Sequence, residues 1–319
     1  MLLVMNIAII GAGWSGCHSG IFLKKLGHNI TIFEKSSSIF HGASSNNQFR
    51  HHNGYHYPRS LQTIKMIRQN RERFEKDYSF CLNSIENNYY GIAEQYSLID
   101  EGIYETIFPE LIPVSNTICS FTNLKKIYKT NEKAINNKVV IEYFVSQLQN
   151  NIVYETFLEK KKYKDYDLVV DCTNNDNNNL DLIKKSYLLY VLKPSEHYTK
   201  NIFAITIMDG NFCSLYPYFA TNKEVLYTLS HVEYSDLSNE IDSKQRLEYT
   251  KNSIKYFYPD FDRDFTIIDS LTGIKNFTPH TKDAARMLEY KFSKNHIAVS
   301  ITKILSIYEI EDKLMEILS

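Results

Sequence analysis

The sequence predicts an α/β fold in which a doubly wound parallel sheet is interleaved with a second, mixed-sheet α+β region. Three observations carry this: a strand, glycine turn and helix at the N-terminus; two apolar strands far downstream that suit the same sheet; and β-rich runs between them. The 319 residues suit one large or two intertwined domains. Lys plus Arg (36) balance Asp plus Glu (37), and no block of like charge forms a basic tail, so nucleic acid is not an expected partner. Charged residues at 23% and hydrophobic residues at 43% exclude wholesale disorder. The 24 Tyr and 18 Phe have two readings, AT-rich codon usage or an aromatic-lined pocket. Five scattered cysteines (Cys17, Cys81, Cys119, Cys172 and Cys213) contain no Cys-x-x-Cys pair, so neither a disulfide framework nor a zinc site is expected. The apolar start lacks a basic leader, and no run of about 18 apolar residues occurs. These features predict a protein of the reducing cytoplasm with no membrane span.

The first element is the strand Met5 to Ile10, followed by Gly11-Ala12-Gly13-Trp14-Ser15-Gly16 and a helix from Cys17 to Leu26 that stops at Gly27. Gly11 permits the sharp turn, Gly13 lets a pyrophosphate approach the backbone, and Gly16 lets the helix pack close to the strand. Phosphate then sits at the helix N-terminus. A second strand, Asn29 to Phe33, ends in Glu34, 18 residues after Gly16, where an acid takes a ribose hydroxyl. A free ribose diol disfavours NADP and leaves NAD and FAD open.

The next segment, His41 to Ser60, holds four histidines, two arginines and two tyrosines, an unusual density of hydrogen-bonding groups in place of regular alternation. Residues 60–78 place Leu61, Ile64, Ile67 and Phe74 at helical spacing, a scaffold helix. Asn151 to Glu155 and Asp165 to Thr173 read as short buried strands, and Asn174 to Asn179 as a surface loop. Ile202 to Met208 and Glu224 to Val232 read as sheet strands, and Asn295 to Ser300 as a buried strand before a loop and final helix.

Gly-Ala-Gly-x-x-Gly with Glu34, then Ser45-Asn46-Asn47 and His52-Asn53-Gly54-Tyr55-His56-Tyr57-Pro58-Arg59-Ser60-Leu61, resembles the FAD-dependent oxidoreductases of the D-amino-acid oxidase superfamily. The likeness is nearest to its L-2-hydroxyglutarate oxidase branch. The resemblance implies a glutathione-reductase-like FAD-binding Rossmann domain interleaved with a substrate domain. The expected boundaries are 1–75, 133–185 and 270–319 for the first, and 76–132 and 186–269 for the second. It also implies that Gly11, Gly13, Trp14, Ser15, Gly16, Glu34 and Lys35 contact the dinucleotide, with Ser44, Ser45, Asn46, His52 and Gly54 near the flavin ring or its linker. Val153 would meet the adenine. Cys172-Thr173-Asn174 stands where relatives carry Ala-Thr-Gly, and Gly273 to Lys275 and Asp283 to Arg286 resemble the lead into the last FAD contact, at Thr302 and Lys303. Non-covalent attachment of the flavin is expected.

Hydride transfer to a flavin leaves the protein to position a substrate and manage a proton. An alcohol needs a base, and His52 and His56 titrate near neutrality; a structural role is the alternative for each. Arg50 and Arg59 can bind a carboxylate or phosphate through paired donors, or serve as ordinary ion-pair partners. Among catalytic candidates we retain His56, His52 and Arg59. Tyr57, Tyr216, Tyr218 and His231 are the candidate substrate contacts, His296 is read as structural, and no metal spacing or Gly-x-Ser-x-Gly elbow occurs. The expected function is oxidation of a small polar substrate, anionic or a sugar derivative, at a CH–NH or CH–OH carbon. The alternatives are a non-redox flavoenzyme of the UDP-galactopyranose mutase type and a flavin-binding protein without catalysis.

Overall fold

A computed structural model describes residues 3–115, 120–173, 180, 182–196, 198, 201–219, 224–277 and 288–319. Cys119, the Asn-rich segment from Asn174 and the Asp283 to Arg286 segment lie outside them.

The first sheet has six strands, in the order Glu289–Ser293, His296–Ser300, Leu168–Asp171, Asn6–Ile10, Asn29–Phe33 and Ile152–Val153. All neighbours are parallel except the edge pair Glu289–Ser293 and His296–Ser300. Strands buried on both faces need apolar side chains at every position, which is what Ile7, Ala8, Ile9 and Ile10 supply. The helix Trp14–Lys25 packs against them through Gly16, Cys17, Ser19 and Gly20. Its small residues let the backbones close up: a Cβ on Gly20 would lie 2.9 Å from Ile32 Cδ1. The helices Leu61–Tyr78, Asn137–Leu148 and Ile307–Leu318 complete this core around Trp14, whose ring lies 5.4 to 5.8 Å from those of Phe40, Phe74, Tyr78 and Phe144. Ile64, Ile67 and Phe74 face inward as their spacing predicts, whereas Leu61, at the first helical position, is 71% exposed.

The second sheet has eight strands, in the order Phe265–Phe277, Ile183–Pro194, Val225–His231, Cys213–Phe219, Phe203–Met208, Asn87–Ala93, Leu124–Thr130 and Ile112–Val114. It is mixed, since Phe203–Met208 runs parallel to Asn87–Ala93 while the other neighbours are antiparallel. Alternation gives it two different faces. Leu192, Phe203, Ile205, Leu215 and Leu229 form an apolar layer with Ile254 and Phe257 of the helix Ser243–Phe257. The opposite face carries Tyr90, Thr206, Ser214, Tyr216, Thr228 and Ser230. A three-stranded sheet, Arg50–His51, Lys133–Ile135 and Leu82–Ser84, joins the two large ones. The chain thus passes repeatedly between the sheets. Strands Ile183–Pro194 and Phe265–Phe277 lie wholly in the second, so the expected boundaries at 185/186 and 269/270 fall inside strands and are corrected. No described helix is long and apolar enough to cross a membrane.

Candidate active site

The glycine turn is built as its residue types require. Gly11 has φ +92°, a conformation that a side chain would strain. A Cβ on Gly16 would stand 1.8 Å from the Gly11 carbonyl oxygen, and one on Gly13 would stand 2.8 Å from Ser44 Oγ. Ser44 Oγ accepts a hydrogen bond from the Trp14 amide at the helix start (3.0 Å). The Trp14 side chain belongs to the core, so only its backbone faces the turn. Ser15 is half-buried, and Lys35 is exposed past the second strand.

Glu34 is buried, and its two oxygens accept from the Ala12 amide (2.7 Å) and the Ser36 amide (2.9 Å). A carboxylate has about four acceptor positions, so two remain for ribose. Beside it, the Glu34 amide donates to the Val153 carbonyl (3.0 Å), putting the edge strand against the end of the second strand. Cys172 and Thr173 continue the strand next to Gly11, with Thr173 Cγ2 lying 3.3 Å from where a Gly11 Cβ would be. Thr173 is tied to Asp171 Oδ1 through its amide and hydroxyl. These atoms gather at the carboxyl ends of the parallel strands, where the chain diverges on either side of Asn6–Ile10, the position at which open α/β sheets bind ligands.

The polar segment then crosses to the second sheet. The Ser45 amide donates to the Gly42 carbonyl; Asn46 donates to the Thr272 carbonyl (2.8 Å), and its own carbonyl accepts from Tyr187. Gly54 takes φ +89° beside Ile64. His52 is buried with no hydrogen-bond partner at Nδ1, and Thr302 Oγ1, arriving after strand His296–Ser300, is likewise buried and unsatisfied. Such atoms need partners, which a bound polar cofactor supplies.

Tyr57 organises the cationic end. Its ring centroid lies 5.7 Å from that of His52 and 5.0 Å from that of His56, and Lys303 Nζ sits over the ring at 4.5 Å. Burial, with the Arg50 charge adding to it, pushes the Lys303 ammonium down to about 7. Burial, and then the charges of Lys303, His56, Arg50 and His51, hold His52 well below its ordinary value, so its imidazole is neutral at physiological pH.

Arg50 places its guanidinium carbon over the Tyr216 ring, 4.3 Å from the centroid, and donates to Thr206 Oγ1 (2.7 Å), Gln48 Oε1 (2.8 Å) and Ser214 Oγ. It forms no ion pair among the described residues.

Several expected contacts fall elsewhere. Arg59 is half exposed and paired through Nε to Asp209 Oδ2 (2.5 Å), a carboxylate supplied by the turn after Phe203–Met208. Tyr216 is fully buried, donating to the Lys133 carbonyl and accepting from Asn88, so it supports Arg50 and does not line a cavity. Tyr218 stacks on Phe49 (5.7 Å). His231 sits on the far face, because strand alternation sends Thr228 and Ser230 toward Gln48 and turns position 231 away. There Nδ1 accepts from the Glu233 and Tyr234 amides, the ring stacks on Tyr234 at 4.2 Å, and burial pushes it down to about 4. His296 lies against Tyr163 and Asp171, away from the cluster. Sequence reasoning missed Glu132, a fully buried acid between two strands, which no periodicity marks.

Residues 6–89 match the model of the DAO family, described as FAD dependent oxidoreductase. The chain is 31% identical over 251 residues to FAD-dependent monooxygenase FPY4 of Fusarium mangiferae, covering 73% of this chain and 65% of that protein. It is 32% identical over 139 residues to FAD-dependent monooxygenase kojA of Aspergillus flavus, covering 41% of this chain and 32% of that one. It thus spans less than two thirds of the length of either relative. Its fold is similar to glycine oxidase from Geobacillus kaustophilus (TM-score 0.72, 12% identity, 98% of this chain and 94% of that one). It is also similar to the L-alpha-glycerophosphate oxidase of Mycoplasma pneumoniae with FAD bound (TM-score 0.73, 11% identity, 99% and 95%). Residues 6–89 therefore carry the DAO-family signature described as FAD dependent oxidoreductase, on a chain whose fold is similar to that of such enzymes.

Proposed function

We propose that the chain oxidises a small anionic substrate at a CH–NH or CH–OH carbon. The observation that carries this reading is Arg50, a guanidinium held by neutral partners in the same site as Lys303 and His52. A planar cation with no carboxylate in direct contact among the described residues suits a substrate carboxylate or phosphate.

The roles follow from position. Gly11, Gly13, Gly16 and the Ser15 amide would hold the pyrophosphate, Glu34 the ribose and Val153 the adenine side; the Trp14 amide is given to Ser44 Oγ. Ser44, Ser45, Asn46, His52, Gly54, Cys172, Thr173, Thr302 and Lys303 would surround the remainder, with Lys35 at its outer edge. Bound FAD supplies the hydride acceptor. Arg50 orients the anion, Tyr57 packs between His52 and His56, and His56 accepts the proton of an alcohol, while an amine gives its proton to solvent beforehand. Neutral His52 hydrogen-bonds without adding charge. The likeness of the His52 to Leu61 segment to L-2-hydroxyglutarate oxidases favours a 2-hydroxy acid within this class.

A second reading, monooxygenation, is favoured by the 31% identity to FPY4. One experiment addresses both. The FAD-loaded protein is mixed anaerobically with panels of 2-hydroxy acids, amino acids and glycerol phosphate, and loss of flavin absorbance is followed. Bleaching by an anionic substrate without nicotinamide supports oxidation. Bleaching that requires NADH or NADPH, with oxygen incorporated into the product in air, replaces it with monooxygenation.

A further inference from the structure

Glu132 occupies the turn between strands Leu124–Thr130 and Lys133–Ile135 and is fully buried. Its Oε1 accepts from the Asn53 amide at 2.6 Å, and its Oε2 from the Tyr90 hydroxyl at 2.8 Å. Its own carbonyl accepts from Asn88 Nδ2 (3.1 Å), the same amide that reaches the Tyr216 hydroxyl (3.3 Å) beneath Arg50. The acid therefore touches the backbone between His52 and Gly54 on one side and the support of Arg50 on the other. It makes no ion pair with Arg50. A carboxylate placed only to neutralise that guanidinium would contact it, since an uncompensated buried ion costs several kcal/mol.

We propose that Glu132 is a positioning residue: it fixes the His52–Asn53–Gly54 backbone beside the flavin, and its charge sets how strongly the neighbouring Arg50 attracts the substrate anion. The consequence for the anion rests on the anionic-substrate reading above; the backbone clamp does not. The groups facing Glu132 come from every element around it: Arg50, Tyr55 of the following loop, Arg71 of the helix Leu61–Tyr78, Tyr90, Tyr104 and Tyr216. Burial raises all four tyrosines, which stay neutral, so the two arginines supply the fixed charge.

Burial pushes the Glu132 carboxyl up to about 7, against the pull of its hydrogen bonds and the arginines. Below that pH it is neutral and Arg50 is uncompensated; above it the carboxylate weakens anion binding. Lys303, with its value also near 7, loses its positive charge over the same interval and acts in the same direction. Two separable proton dependences follow.

The test uses FAD-loaded wild type, Glu132→Gln and Lys303→Met. The Gln variant keeps an acceptor for Asn53 and a partner for the Tyr90 oxygen. Benzoate is titrated against flavin absorbance at pH 6 and pH 8, and the protonated carboxyl stretch is followed by difference infrared spectroscopy over the same range. Benzoate binding by the wild type should weaken about 100-fold from pH 6 to pH 8, and about tenfold in each variant, one charge contributing roughly one decade. A carboxyl band lost between pH 6 and pH 8 in the wild type should be missing from Glu132→Gln. A pH dependence in Glu132→Gln equal to the wild type's overturns the proposal. If benzoate binds at neither pH, the anionic reading fails and the infrared result alone judges Glu132: a band that is absent from the wild type, or that persists in the Gln variant, rejects it.

Discussion

Gly16→Ala tests whether close helix–strand contact builds the FAD site. The added Cβ would lie 1.8 Å from the Gly11 carbonyl oxygen and 3.0 Å from its carbon. Side-chain Cβ atoms do not approach within 3.0 Å, so the helix must retreat by about 1.2 Å (3.0 less 1.8). The obstacle is backbone, and no rotamer relieves it. Overpacking of this kind costs about 3 kcal/mol at the upper end of the usual range, from which the better helix propensity of Ala recovers about 1. The net loss of about 2 kcal/mol should lower the apo-protein Tm by about 4 °C, since a chain of this size shifts by roughly 2 °C per kcal/mol. Retreat also carries the Ser15 amide away from the phosphate. Losing a charge-assisted hydrogen bond of about 1.5 kcal/mol weakens FAD by about tenfold. The assay is the FAD-to-protein absorbance ratio after desalting, with thermal melts of the apo forms. Gly42→Ala is the control, since nothing lies within 4 Å of its added Cβ. Stoichiometric FAD and an unchanged Tm in Gly16→Ala would refute the reasoning.

Glu34→Ala should weaken FAD by about 1 to 3 kcal/mol, through the lost ribose contact and two unbraced amides; isothermal titration measures it. His56→Ala should keep FAD while slowing anaerobic flavin reduction about 100-fold, and stopped-flow rates equal to the wild type's would return the residue to a structural role. His231→Phe should leave reduction unchanged, because that ring lies on the far face of the sheet; a rate loss above about tenfold would contradict its placement. Glu132 binds a proton more tightly when folded, so stability present near pH 4.5 is lost as pH rises toward 7. Urea unfolding of the apo protein at pH 5 and pH 7.5 should show a fall about 2 kcal/mol larger in the wild type than in Glu132→Gln, because that interval traverses only part of a shift of about 2.5 pH units at 1.36 kcal/mol each.

The legible parts of the sequence were those whose causes are local. The turn at Gly11 needs a positive φ, Gly16 needs backbone proximity, and Asn29–Phe33 needs alternation; each is recorded by the residue that satisfies it. Strand limits at Phe203–Met208 and Val225–His231 follow the apolar runs to within a residue. Direction was legible only where the period was counted from a known face. His231 and Ser230 are neighbours in sequence but serve opposite sides of the sheet, so nearness to a strand end did not select between them. Partners brought from afar were not legible. Asp209, 150 residues from Arg59, captures that guanidinium, and Glu132 reaches Asn53 across 79 residues.

The two large sheets divide the work according to how each exposes backbone and side chain. A parallel strand bundle ends in open amides and carbonyls, so on the proposed reading the glycine turn and the ends of neighbouring strands would cradle a long cofactor using few side chains, Glu34 and Thr302 among them. The mixed sheet has its backbone hydrogen bonds engaged and can present only alternate side chains, which here are Thr206, Ser214, Tyr216 and Thr228. Those groups are neutral, so the charge comes from elsewhere: Arg50 on the segment that crosses between the sheets, and Lys303 after strand His296–Ser300. Cofactor retention should therefore follow substitutions in the glycine turn and selectivity those around Arg50. Glu132 belongs to both sets, because it holds the crossing segment by its backbone and faces the guanidinium that the segment delivers.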